Sequence, residues 1–346
     1  MAITTIISKT GSLEEKIFKA VEFLLAGKNI IFPTETVYGL GADITHPTAV
    51  NQIFQIKGRP SNHPLIVHFA DIGQISYWAE NVPSQAKKLI EHLWPGPLTL
   101  ILPKSQHVPY YVTGGQDTVG LRIPDHFVAI ALLRALGPTK AVVAPSANRF
   151  GCLSPTDVIH VSKEISNKVS MILDDGPCKV GLESTIISFC DAKPTLLRPG
   201  GIPLKVIEEL LCQKISVQNK QDNSLRTPGM LASHYAPQTP LEVWPSDSLQ
   251  YRIDELLAQN YRIAIVSWSN NAYSTPQTPE ATTKHHCAKF SMPSNPIDYG
   301  YQLYAKLHYL DNRDYDRLLI EMPPALPDWL AVHDRLQRAS YHFSKI

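Results

Sequence analysis

The stretch Ile30-Ile31-Phe32-Pro33-Thr34-Glu35-Thr36-Val37-Tyr38-Gly39-Leu40-Gly41 joins a short apolar run to a cluster of hydroxyl residues and glycines. The triplet reads as a buried strand, and Pro33 ends it because proline cannot donate to a ladder. Upstream, Ser12 and Glu15 have capping-box spacing; Ile17, Ala20, Val21 and Leu24 recur with helical period, and Gly27 is a natural stop. Downstream, a helix is expected from Pro47, carrying Ile53, Phe54 and Ile56, and then a strand over 64–69. Further helices are expected near 84–93, 126–136, 156–165 and 204–211. Further strands are expected at 98–102, 119–123, 141–143, 169–173, 185–189 and 195–197. This interleaving is an α/β pattern. Some strands follow each other with no helix between them, so the twisted sheet is expected to be mixed.

From about Lys214 the texture changes. Residues 216–224 are polar, and Arg226-Thr227-Pro228-Gly229-Met230 is rich in turn formers. A second α/β pattern follows, with strands at 241–244, 262–268 and 318–322, helices near 253–257 and 298–309, and a polar loop at 275–284. The organisation expected is an N-terminal domain over 1–213, a linker over 214–240 and a smaller C-terminal α/β (Rossmann-like) domain over 241–346. A chain of 346 residues is ample for two cores.

Composition narrows the function. Hydrophobic residues are 44% and charged residues 18%, as in globular proteins. A net charge of +1 gives no global electrostatic reason to bind nucleic acid. The longest apolar run, 127–133, is ended by Arg134 and falls far short of the roughly 20 residues a bilayer needs. No membrane partner is expected, and the N-terminus lacks the pattern of a secretory signal. Five cysteines without close-spaced pairs point to a reducing, cytoplasmic setting without structural zinc. The His285-His286-Cys287 run is set aside as a metal site, because adjacent residues chelate poorly.

Five segments carry candidate chemistry. In 33–41, hydroxyls and glycines follow a strand, which places donors at a sheet edge where α/β ligands sit; a capped turn explains them equally well. Gly39 and Gly41 do not complete a dinucleotide fingerprint, because position 44 is Ile, and no phosphate-loop motif occurs. Lys57-Gly58-Arg59-Pro60 offers a point charge and a bidentate fork to a polyphosphate, or simply favourable cations at a helix end. Arg122, inside the apolar strand 119–123, demands a carboxylate from the protein or from a ligand. Ala144-Pro145-Ser146-Ala147-Asn148 again puts small polar groups after a strand, with Ser154 or Thr156 able to cap a helix. Gly181-Leu182-Glu183-Ser184-Thr185 leads to Thr195-Leu196-Leu197-Arg198-Pro199-Gly200-Gly201, where Ser184 and Arg198 can meet a ligand or belong to a hairpin.

Taken together, these segments resemble the YrdC family of L-threonylcarbamoyladenylate synthases. The match includes PTETVYGLG, IKGRP followed by HPLIVH, WPGPLTLIL, TVGLRIP, APSAN, GLESTI and LRPGG, in family order, over roughly residues 10–212. RTPGMLASHYAP and LAVHDRLQRAS are similar to the linker and extra domain of the longer, two-domain members. Departures are His63 and His333, where the family often has Asn.

The resemblance implies condensation of L-threonine, bicarbonate (or CO2) and ATP to L-threonylcarbamoyl-AMP and pyrophosphate. It also implies Mg2+ on the ATP phosphates and a downstream tRNA-modifying threonylcarbamoyl transferase complex as partner. By the same resemblance, Lys57 and Arg59 would neutralise the triphosphate, with His63, Ser146, Asn148 and Arg198 assisting and Thr118 and Ser154 lining the nucleotide site. Arg122 would pair with the threonine carboxylate, with Thr36, His68, Ala144 and Ser184 around the amino acid. From the residues themselves, an apolar and aromatic cluster in a Pro/Gly-hinged connector, His234 and Tyr235 are expected in a linker lid that closes on ATP, the alternative being that they staple the two domains together. Competing readings are an RNA-binding module, a carbamoyl-transfer domain acting on another acceptor, and a scaffold with a decayed site.

Overall fold

A computed structural model of the chain describes residues 6–7, 12–218, 226–229, 234–269, 273 and 287–340. The chain divides into two compact units, one of residues 1–150 and 154–230, the other of residues 151–153 and 231–346.

The first unit is built on a sheet of eleven described strands. These are β1 (Ile6–Ile7), β2 (Ile30–Phe32), β3 (Gly39–Asp43), β4 (Ile66–His68), β5 (Leu98–Pro103), β6 (Thr118–Arg122), β7 (Val142–Val143), β8 (Met171–Ile172), β9 (Thr185–Ser188), β10 (Thr195–Arg198) and β11 (Ser216–Val217). Their order is β1-β8-β2-β3-β7-β4-β6-β5-β9-β10-β11. The sheet is mixed as expected: β4 runs parallel to β6, whereas β5 and β6 are antiparallel.

The capping box forms, with Ser12 N donating to Glu15 Oε2 at 2.9 Å and Glu15 N donating to Ser12 Oγ at 3.2 Å. It starts the helix Leu13–Leu25, whose buried face (Ile17, Ala20, Leu24) packs with Val128, Leu132 and Leu136 of the helix Phe127–Leu136. Two expectations change. In the stretch 33–41, for which a capped turn was one of two readings, the turn ends before Gly39 and Gly39–Asp43 form β3; Gly41 lies against neighbouring side chains, and a Cβ there would lie 2.9 Å from the Phe32 ring and from Val142. The helix expected at 156–165 is a 3-10 turn, Val158–His160, and a short helix, Lys163–Ser166. Asp157 and Ser162 each cap the amides just ahead of them and restart the backbone.

The second unit has four described strands, β12 (Leu241–Trp244), β13 (Ile263–Ser267), β14 (Cys287–Ser291) and β15 (Arg317–Glu321), all parallel in the order β12-β15-β13-β14. Cys287 thus begins a strand, while His285 and His286 lie outside the described residues. Glu321, at the end of β15, accepts from Ser246 Oγ at 2.8 Å, Ser269 Oγ at 2.6 Å and the Trp268 and Ser269 amides at 3.2 Å each. The helix Leu330–Ala339 is a further element that periodicity did not reveal. No described helix is long and apolar enough to cross a membrane.

Candidate active site

After β2 the ladder gives way to a hydroxyl turn. Thr34 Oγ1 donates to Val37 O at 2.7 Å and accepts from the Thr36 and Val37 amides at 3.2 Å each. Its proton being used, it accepts from Thr36 Oγ1 at 2.8 Å. Thr36 Oγ1 in turn accepts from Arg122 Nη2 at 3.0 Å.

Arg122 ends β6 and pairs in register with His68, which ends β4. Its Nε donates to Gly96 O at 3.3 Å, and its Nη2 lies 2.7 Å from Glu35 Oε2. The carboxylate that Arg122 demands is therefore supplied within the protein. Its source, Glu35, carried no role in the sequence reading, and the unmet demand of Arg122 was the signal that could have found it. Burial first, then the Arg122 charge, pushes the His68 imidazole down to about 3. His68 is neutral near pH 7 and stands against Ile66 O at 3.2 Å.

Lys57 closes the helix Pro47–Lys57, and Gly58 at φ 64° turns the chain away from it. Buried Lys57 sends its Nζ to the carbonyls of Ser146 and Asn148. Arg59 Nη2 donates to Pro64 O at 2.8 Å. The loop after β7 is stitched to the turn after β2: Leu40 N donates to Pro145 O and Ala147 N to Tyr38 O, each at 2.8 Å. Ala144, buried, donates from its amide to Ile66 O at 3.1 Å. The structure thus brings Lys57, Ser146, Asn148 and Ala144 into one network with Thr36, His68 and Arg122.

Arg198 is held by contacts of its own. The register of β9 and β10 shifts between Leu196 and Arg198, a local irregularity that re-aims the side chain. Its Nε and Nη2 donate to Ser184 O at 3.1 and 2.8 Å, Nη2 also reaches Ser184 Oγ at 3.0 Å, and Nη1 donates to Pro228 O at 3.0 Å. Ser184 Oγ also meets Thr99 Oγ1 at 2.7 Å. Ser154 Oγ donates to Glu183 Oε1 at 2.6 Å. Thr99 and Glu183 are, like Glu35, buried polar partners that the sequence reading did not single out.

The remaining candidates make other contacts. His63 packs edge-on against Phe150 at 5.5 Å, and burial, then Arg59 and Arg226, lowers its pKa. Thr118 begins β6, four residues from Arg122, so about 13 Å separates them along the strand. From the linker, Arg226 donates to Asn62 O at 2.9 Å and Gly114 O at 2.8 Å. His234 and Tyr235 belong to the second unit, where Tyr235, at φ 61°, lies 5.9 Å from the Tyr304 ring and 4.9 Å from the Arg335 guanidinium. His333 Nε2 meets Pro324 O at 2.9 Å in that unit.

Known proteins match this arrangement along nearly its whole length. The Sua5/YciO/YrdC family model (telomere recombination) matches residues 22–200, and the threonylcarbamoyl-AMP synthase C-terminal domain matches residues 202–340. A threonylcarbamoyl-AMP synthase of Pyrococcus abyssi is 36% identical over 355 residues, spanning 99% of this chain and 100% of its own. The chain belongs to the threonylcarbamoyl-AMP synthase family. A Bacillus subtilis member is 36% identical and covers 94% of this chain and 93% of its own. The crystal structure of Pyrococcus abyssi Sua5 complexed with L-threonine has a TM-score of 0.84 and 34% identity, with 98% of each chain covered. A second structure of that protein, carrying alanine in place of an adjacent His and Tyr, matches with the same TM-score of 0.84.

Proposed function

We propose that the chain condenses L-threonine, bicarbonate (or CO2) and ATP into L-threonylcarbamoyl-AMP and pyrophosphate. The single observation that carries this reading is that three cations from distant segments are buried and held by polar groups: Lys57 by the loop after β7, Arg122 by Thr36 and Arg198 by Ser184. The threonine amine first forms a carbamate. A carbamate oxygen then attacks the α-phosphorus, and pyrophosphate leaves. No protein nucleophile is required, so positioning and charge stabilisation dominate.

In this reading Lys57 and Arg59 bind the triphosphate with Ser146, Asn148 and Arg198, and Arg122 takes the threonine carboxylate near Thr36, His68 and Ser184. His68, being neutral, contributes hydrogen bonding and shape but no charge. Mg2+ is proposed to enter with ATP. Among the described residues no group of three His, Cys, Asp or Glu side chains could hold a metal. A cytoplasmic location and hand-over of the adenylate to a tRNA-modifying transferase complex belong to the same proposal.

The test is incubation with ATP, Mg2+, bicarbonate and each amino acid in turn, reading pyrophosphate and adenylate by mass spectrometry. Threonine-dependent pyrophosphate is expected, with valine, which lacks the hydroxyl, rejected more strongly than serine. Absence of threonine-dependent pyrophosphate overturns the assignment.

A further inference from the structure

Glu35 is 2% exposed and Arg122 4%, so their contact is made almost without water. Apart from that ion pair, neither carboxylate oxygen of Glu35 has a hydrogen-bond partner among the described residues. A carboxylate offers about four acceptor positions, and buried ones are normally filled by donors. Glu321 illustrates the filled state, with two hydroxyls and two amides on its oxygens. A buried ion pair is also a weak source of net stability, because desolvation offsets the attraction. Glu35 therefore has acceptor capacity that the protein itself leaves unused, in contact with the guanidinium assigned to the substrate carboxylate.

The charges of the ligand decide what can fill it. A bare carboxylate arriving at Arg122 meets a guanidinium already offset by Glu35, and two anions would then share one cation. A zwitterion brings its own cation. In an α-amino acid the ammonium and carboxylate are separated by a single carbon, and the charges of the Glu35–Arg122 pair are likewise adjacent. An ammonium also supplies three donors, which suits a carboxylate lacking them.

We propose that Glu35 receives the α-ammonium of the substrate, so that Glu35 and Arg122 together form a clamp selective for a zwitterionic α-amino acid. This rests on the synthase reading and assigns Glu35 a role in specificity within it. Thr36, hydrogen-bonded to Arg122, sits at the same clamp.

The test is calorimetric titration of the full chain, in the presence of ATP, with L-threonine and with 3-hydroxybutyrate, which keeps the carboxylate and hydroxyl but lacks the amine. The parent is expected to prefer threonine by about 10–100-fold, the value of a charged hydrogen bond. In Glu35→Gln the preference is expected to collapse to within a few-fold, by loss of threonine affinity, with ATP affinity unchanged. Glu35→Asp retains the charge and is expected to retain a preference for threonine, which keeps the proposal testable if Glu35→Gln does not fold. A Glu35→Gln protein with the parental preference, or a Glu35→Asp protein with none, overturns the clamp. A parent that binds no threonine would instead overturn the synthase reading.

Discussion

Glu35 in the first unit and Glu321 in the second are both almost wholly buried, at 2% and 0% exposure, yet their surroundings differ. Glu321 ends a parallel strand, where donors from the ends of β12 and β13 surround it. Burial alone would raise its carboxyl, but hydrogen bonds from Ser269, Ser246 and Tyr273 outweigh that and hold it below the usual range. Glu35 follows a strand in a mixed sheet and meets one guanidinium. The difference teaches that burial alone does not mark a site: equally buried carboxylates differ in how fully their hydrogen-bonding capacity is met. The second unit satisfies its strand-end carboxylate with its own hydroxyls and amides, whereas the first leaves Glu35 with the Arg122 ion pair.

Arg122→Ala should produce the largest effect. It removes the cationic half of the pair, so kcat/KM for threonine is expected to fall by roughly 100-fold or more in a pyrophosphate-release assay. Left buried and unpaired, Glu35 should also cost about 3–5 kcal/mol in urea unfolding. Adding Glu35→Gln should regain part of that stability and none of the activity. An Arg122→Ala protein as stable as the parent would mean that water reaches Glu35, which would break the comparison.

Glu321→Ala comes next. Orphaning several donors should lower stability by about 2–3 kcal/mol, while threonine and ATP affinities stay unchanged. Altered affinity at parental stability would show that the second carboxylate is also a ligand site.

His68 sharpens the comparison through pH. Its folded pKa, about 3, lies below the unfolded value, so the unfolded chain takes up the proton first as pH falls. The stability that neutral His68 contributes is present above about pH 6.5 and is lost on descent from there toward pH 3. His68→Gln should flatten that limb of the stability-versus-pH curve, measured by thermal melts. The smallest effect is expected at Lys19–Glu22, whose side chains are 51% and 49% exposed: Lys19→Ala should change stability by less than about 0.5 kcal/mol.

Much of the framework was legible. The strand 30–32, the capping box and the helix ending at Lys57 announce themselves by local pattern, because apolar period and cap chemistry act over a few residues. Strand β3 was hidden because its glycines answer to Phe32 and Val142, which are its neighbours in space. The helix Leu330–Ala339 was hidden because one of its buried positions is Arg335, 1% exposed, which reads as surface in sequence. At the site, the need of Arg122 for a carboxylate was legible and the identity of Glu35 was not. Strand pairing and the turn after β2 decide which acid reaches Arg122, and composition is silent on both.

Lys57 is the last residue of its helix, and its amine spans two carbonyls of the loop after β7. Adding or removing one residue between Pro47 and Lys57 would swing that amine by about 100° and shift it by about 1.5 Å along the axis. Substitutions on the outer face of this helix can drift freely, but its length is fixed like the tooth count of a gear.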